Sequence, residues 1–279
     1  MSVRADGKVW FVGAGCGDPE LLTLKAARLI EVADVIVYDR LVSRRVMERA
    51  SVSAETIYAG KRRADHHLLQ GEINQLLVDR AKQGCSVVRL KGGDPTIFGR
   101  LGEELDAVVQ AKVAFEIVPG VSAGTGCAAY AGIPLTHRDL AHAVTFLTGH
   151  GKADEPELDW RALATSGHTL CVFMGIAGIE RLVAKLLDHG MDPKMPAALI
   201  ENGTLPQQRV ASATLDELSR TVGSVRPTGP VTVIIGKVAA LQPHYNWFIP
   251  AGTTSASGFS GADLQNTAQA PAMINRRTA

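Results

Sequence analysis

Along the first half of the chain, short runs of consecutive apolar residues alternate with longer segments of helical period. Lys8 to Val12, Val35-Ile36-Val37-Tyr38, Thr56-Ile57-Tyr58, Val87 to Leu90 and Phe115-Glu116-Ile117-Val118 read as strands. Between them a helix is predicted from Pro19 to about Val32, with Leu21, Leu24, Ala27, Leu29 and Ile30 on its apolar face. A second is predicted over Leu41 to Ala50, and a third over Leu68 to Gln83, stopped by Gly84. A helix of small residues follows Pro119-Gly120-Val121-Ser122-Ala123-Gly124 and runs to about Ala131. Strands that alternate with helices predict a parallel α/β sheet.

Gly132-Ile133-Pro134-Leu135-Thr136 interrupts this pattern and marks a domain boundary, so residues 8–133 and 137–249 are expected to form two α/β domains. In the second, strands are predicted at Ala143 to Leu147, Thr169 to Phe173, Ala197 to Ile200, Gln208 to Ser212 and Val231 to Ile235. Helices are predicted at Trp160 to Ala164, Ile179 to His189 and Thr214 to Thr221. Residues 250–279 are rich in glycine, alanine and threonine, have little apolar content to bury, and read as a flexible tail.

The candidate chemistry sits where strands end in glycine. Val87 to Leu90 runs into Lys91-Gly92-Gly93-Asp94-Pro95, and the first strand runs into Gly13-Ala14-Gly15-Cys16-Gly17-Asp18-Pro19. Glycines at the carboxyl end of parallel strands let a ligand approach the backbone. At both junctions Asp is expected to cap a helix whose first residue is Pro. The first junction imitates a dinucleotide fingerprint, with Asp39 closing the second strand, but Asp18 occupies the place of the third glycine. A carboxylate there repels phosphate. A cationic or zwitterionic ligand, such as a sulfonium bearing an amino-acid tail, suits these turns better. Arg100, Glu103 and Glu104 are three and four apart and are expected on one face of the helix that follows.

Composition narrows the class. The 279 residues are 46% hydrophobic and 20% charged with a net charge of +1, so no global field points to nucleic acid. Basic residues nevertheless cluster at Arg44-Arg45, Lys61-Arg62-Arg63 and His137-Arg138, which would serve a small polyanionic substrate. Cys16, Cys85, Cys127 and Cys171 show no metal spacing and read as free thiols. His137, His142 and His150 match no ligand pattern, so no metal is expected. The first residues lack the apolar core of a signal peptide, and no run approaches the ~18 apolar residues of a membrane helix. A soluble cytoplasmic protein is expected.

Six stretches together carry a resemblance: VGAGCGDPELLTL, VIVYDRLV, VVRLKGGDPTIFGRLGEE, IVPGVSAGTGCAAYAGIPLTHR, AVTFLTGH and GPVTVIIGKV. In this order they closely resemble the uroporphyrinogen-III C-methyltransferases of the tetrapyrrole methylase family, over roughly Val9 to Val238. The resemblance implies the tetrapyrrole methylase fold: α/β, two domains with the active site in the cleft between them, and a homodimer. It implies use of S-adenosylmethionine, with two methyl groups transferred to neighbouring pyrroles of uroporphyrinogen III. The products are precorrin-2 and S-adenosylhomocysteine, on the way to sirohaem, cobalamin or haem d1. No stretch resembles a dehydrogenase or chelatase, so methylation alone is expected.

The cofactor positions implied by the resemblance are Cys16, Gly92, Gly93, Asp94, Ile97, Ser122, Ala123, Met174, Gly203 and Val231. Cys16 stands where the family usually has proline. An electron-rich pyrrole attacks a sulfonium methyl without a protein nucleophile, so positioning matters, and the ring cation must then lose a proton to a base. Arg100, Glu103 and Asp39 are the catalytic candidates. Arg100 and Arg138 are the first candidates for substrate carboxylates, with Lys61, Arg62, Arg63 and His150 as further contacts. Three alternatives differ in class or substrate: a methylase of a later corrin intermediate, a nicotinamide-dependent dehydrogenase, and a non-catalytic ligand-binding protein.

Overall fold

A computed structural model describes residues 7–60, 69–149 and 158–250. The first five strands are β1 (Lys8–Gly13), β2 (Val35–Tyr38), β3 (Glu55–Tyr58), β4 (Ser86–Lys91) and β5 (Ala114–Val118). The helices among and after them are α1 (Leu24–Val32), α2 (Arg44–Met47), α3 (Gln70–Lys82), α4 (Leu101–Gln110) and α5 (Ala123–Tyr130). These strands form one sheet in the order β3-β2-β4-β1-β5, and every pairing is parallel. Alternation along the strands serves both faces. Val9, Phe11, Val35, Val37 and Val87 pack under α3 and α4, while Val12, Ile36, Val88 and Leu90 pack under α1 and α2. The central strands β1 and β4 lie side by side but continue in opposite directions, β1 to β2 and β4 to β5. Their carboxyl ends are therefore where such a sheet opens to a ligand.

The second group comprises β6 (Val144–Thr148), α6 (Trp160–Thr165), β7 (Thr169–Phe173), α7 (Ile179–Asp188), β8 (Pro196–Glu201), β9 (Arg209–Thr214), α8 (Leu218–Val225), β10 (Val231–Ile235) and α9 (Gln242–Tyr245). Its sheet runs β6-β7-β10-β8-β9. Here the pairing is mixed: only β6 and β7 are parallel, and β10 inserts antiparallel between β7 and β8. One face packs Leu170, Val172, Leu199 and Val233 against Leu182, Val183 and Leu186 of α7. The other face receives α5, whose Cys127 and Ala128 pack with Ala198, Ile200 and Ile234. A helix that follows the first sheet thus covers the second, joining the two halves along one seam.

Three predicted helices differ from expectation. The segment from Pro19 is a short 3-10 turn, Pro19–Leu21, followed by a break. Thr23 Oγ1 accepts from Ala26 N–H (3.1 Å), so α1 starts afresh with Ala26, Leu29 and Ile30 buried and Leu24 92% exposed. Leu41 to Ala50 is helical only over α2, capped by Ser43. The largest correction is at Asp94, which caps no helix. Its Oδ2 accepts from Gly120 N–H (3.0 Å) and its Oδ1 from Thr96 N–H (2.8 Å). Phe98 and Arg100 then take left-handed backbone (φ 51° and 53°), so helix α4 begins only at Leu101.

Candidate active site

A cleft of about 600 Å³ opens at the carboxyl ends of β1 and β4 and runs to the edge of the second sheet. That is the size of a site for a cofactor-sized ligand. Its floor is made of strand ends in backbone contact. Ala14 N–H donates to Lys91 O (2.7 Å), and Gly15 and Gly93 exchange hydrogen bonds (3.2 and 2.7 Å). A Cβ on Gly13 would lie 2.5 Å from Gly120 N and 2.7 Å from Gly93 O, so β1, β4 and β5 can converge here only through glycine.

The residues expected to hold the cofactor come together. Gly92, Gly93, Asp94 and Ile97 line the cleft from the turn after β4, and Cys16 from the turn after β1. Ser122 and Ala123 line it from the start of α5, where Ser122 Oγ caps Gly124 N–H (3.3 Å). Met174, Gly203 and Val231 line it from the second half. Met174 holds a left-handed backbone (φ 52°), and Gly203 leaves no space for a Cβ, which would lie 2.3 Å from Cys127 Sγ. Phe98 and Phe173 meet across the cleft with ring centroids 5.2 Å apart, tying the two halves together through an aromatic wall.

The catalytic candidates divide. Asp39 and Arg100 line the cleft; Asp39 Oδ1 also accepts from Leu41 N–H (3.0 Å). Glu103 does not line it. Glu103 receives both arms of the Arg100 fork, Nε to Oε1 at 2.8 Å and Nη2 to Oε2 at 2.6 Å. These bonds raise the Arg100 pKa above its already high ordinary value, so Arg100 is a fixed cation rather than a base. Arg138 is exposed in the tight turn between His137 and Ala141, outside the cleft lining, where its carbonyl accepts from His142. Arg138 therefore stands apart from the other candidates. Lys61, Arg62, Arg63 and His150 lie outside the described residues. No group of three or more metal-ligating side chains occurs among the described residues.

One cluster was not anticipated. Glu104 does not share a face with Arg100; it turns inward and is fully buried between Arg89 and Lys91, which are 4% and 3% exposed. Arg89 Nε donates to Oε1 (3.0 Å) and Lys91 Nζ to Oε2 (2.8 Å). All three line the cleft, and their formal charges sum to one positive charge at its floor. Burial, with the neighbouring Arg89 charge second, lowers the Lys91 pKa. The signal was present in sequence: Arg89 and Lys91 interrupt an apolar strand at positions two apart, which share one sheet face.

The model of the tetrapyrrole (corrin/porphyrin) methylases matches residues 8–219. A siroheme synthase of Pseudoalteromonas translucida is 50% identical over 251 residues, 90% of this chain and 53% of that protein. One from Ectopseudomonas mendocina is 49% identical over 88% of this chain and 53% of its own length. The chain thus spans about half the length of these curated relatives. Among solved structures, a uroporphyrin-III C-methyltransferase of Thermus thermophilus complexed with S-adenosylhomocysteine is 40% identical with a TM-score of 0.72. The match covers 84% of this chain and 94% of that one. A cobalt precorrin-4 methyltransferase superposes with a TM-score of 0.75 at 27% identity, over 83% of this chain and 95% of its own. The fold, the cleft at the glycine turns and these matches agree: the chain belongs to the tetrapyrrole methylases.

Proposed function

We propose that this chain is a uroporphyrinogen-III C-methyltransferase, transferring two methyl groups from S-adenosylmethionine to give precorrin-2 and S-adenosylhomocysteine. The observation that carries the reading is convergence: the implied cofactor positions are spread from Cys16 to Val231 in sequence, yet every one of them lines a single cleft. The lining also fits the group. Glycine backbone at 92 and 93 is open to a ligand's polar tail, Ile97, Ala123 and Val231 offer apolar surface, and Asp94 is held by Gly120 and Thr96. Identity separates the two candidate substrates where shape does not: 40% to the uroporphyrin-III enzyme against 27% to the precorrin-4 enzyme.

When bound, S-adenosylmethionine supplies an electrophilic methyl group. The protein's part is positioning and proton removal. Arg100, held in one orientation by Glu103, presents a fork to a substrate carboxylate. The net positive floor of Arg89, Glu104 and Lys91 favours a second carboxylate within the cleft. Asp39 lines the same cleft and is the base we assign to the proton lost from the methylated ring. Lys91 lies close enough for Asp39 to bear on its charge. Products destined for sirohaem are the reading the siroheme synthase relatives favour, and a cytoplasmic homodimer remains part of the proposal. Calorimetry tests the cofactor assignment: S-adenosylhomocysteine should bind, and NAD should not. NAD binding without S-adenosylhomocysteine binding would overturn it in favour of a dehydrogenase.

A further inference from the structure

Two thiols meet inside the cleft. Cys16 lies in the turn after β1, half-buried, and Cys127 lies on α5, 4% exposed; both line the cleft. Cys16 packs against the cluster that contains Cys127, and its Sγ lies against α5 at Gly126, the residue before Cys127. The packing leaves little slack. A Cβ on Gly126 would lie 2.2 Å from Cys16 Sγ, and one on Gly203 would lie 2.3 Å from Cys127 Sγ. The turn carrying Cys16 is flanked by Gly15 and Gly17 at φ 68° and 139°, positions with no Cβ to resist a change of backbone angle.

We propose that Cys16 and Cys127 form a reversible disulfide under a hydroperoxide oxidant, and that this bond closes the cleft to the cofactor. This gating rests on the cofactor reading above; the crosslink itself does not. Cys16 is the nucleophile of the pair because it is the more exposed thiol, with Cys127 only 4% exposed, and its pKa is lowered while that of Cys127 is pushed well up. The Cys16 thiolate attacks the outer peroxide oxygen, the O–O bond breaks, and the alkoxide or hydroxide takes up a proton. Cys16 is then a sulfenic acid. The sulfur of Cys127 attacks that of Cys16, the S–O bond breaks, and hydroxide leaves with the Cys127 proton as water. Two electrons pass from the thiols to the peroxide, and a thiol reductant returns them.

The bond should alter the site because a disulfide holds its sulfurs at about 2.05 Å, well inside the contact distance of two free thiols. Drawing Cys16 toward α5 pulls on the Gly15–Gly93 hydrogen bonds, and Gly93 is part of the turn expected to hold the cofactor.

The test treats the full chain with hydrogen peroxide, maps disulfides by peptide mass without reduction, and titrates oxidised and reduced protein with S-adenosylhomocysteine. A Cys16–Cys127 peptide, at least about tenfold weaker binding after oxidation, and recovery with dithiothreitol are expected. The Cys85→Ala/Cys171→Ala variant should keep the crosslink, and Cys127→Ala should lose both the crosslink and the difference between oxidised and reduced binding. Oxidation that stops at Cys16 sulfinic acid, or pairs other cysteines, would overturn the crosslink. A crosslink that leaves binding unchanged would overturn the gate. If reduced protein does not bind S-adenosylhomocysteine, the cofactor reading and the gate fail together, while the peptide map still decides the crosslink.

Discussion

Glu104 shows how much one side chain can govern here. Its carboxylate is the shared partner of two buried cations. Glu104→Gln keeps the volume but leaves Arg89 and Lys91 unpaired, and breaking a buried ion pair in this way costs about 3–5 kcal/mol. Urea denaturation should show that loss as a lowered midpoint. Lys91→Met removes a cation that burial already disfavours and leaves Arg89 with Glu104, so its stability should stay within about 1 kcal/mol of the parent. Equal losses for the two variants would contradict the pairing. Arg100 belongs to the same scale. Its two-armed contact with Glu103 is a geometry lysine cannot reproduce, so Arg100→Lys should raise KM for the tetrapyrrole roughly tenfold while leaving S-adenosylhomocysteine affinity in place. These residues were unequally legible. Arg100 stood out beside the glycine turn, whereas Glu104 was grouped with it by spacing alone. The spacing could not show that α4 starts at Leu101, or that Glu104 is then aimed at the sheet.

At the scale of elements, the cleft exists because three parallel strands end in glycine and touch. Gly13→Ala would drive a methyl into the backbone of Gly120 and Gly93, which cannot rotate aside as a side chain can. The cost should be about 3 kcal/mol, read as a fall in thermal midpoint, with cofactor affinity falling as well. A variant as stable as the parent would mean that the strand ends do not meet as described. The strands themselves were legible, since their apolar runs have the right length and bounds. The repeated Gly-Asp-Pro was misleading, because its two copies solve different problems. Asp18 caps a 3-10 turn through Glu20 N–H and accepts from Tyr130, while Asp94 reaches across to Gly120. Local sequence predicts a cap in both places, and a contact 26 residues away decides the second. The antiparallel insertion of β10 is likewise a pairing between distant segments, invisible to periodicity.

At the scale of the whole molecule, the two sheets share a cleft and a helix, so loops of the second half must be held as firmly as those of the first. Glu201 does this at the end of β8. Burial pushes its pKa up, but hydrogen bonds from Gly229 N–H (2.8 Å), Arg209 (2.7 Å) and Thr228 N–H (2.7 Å) outweigh burial and leave it below the ordinary carboxylate value. A carboxylate with a lowered folded pKa stabilises the fold above its unfolded pKa of ~4.3, and that contribution disappears as pH falls through the lower folded value. Acid titration of stability should therefore be steeper for the parent than for Glu201→Gln, with the difference confined to pH below the ordinary carboxylate range. Gly229 and Pro230 line the cleft, so the same acidification should weaken cofactor binding.

The central claim concerns the reaction, and product mass under anaerobic conditions tests it most directly. The chain is incubated with S-adenosylmethionine and enzymatically made uroporphyrinogen III, and the tetrapyrrole is then weighed. A gain of two methyl groups, with S-adenosylhomocysteine formed in matching amount, is the predicted result. An unchanged tetrapyrrole, with S-adenosylhomocysteine still bound by the protein, would contradict the substrate assignment and direct the same cleft to a later corrin intermediate.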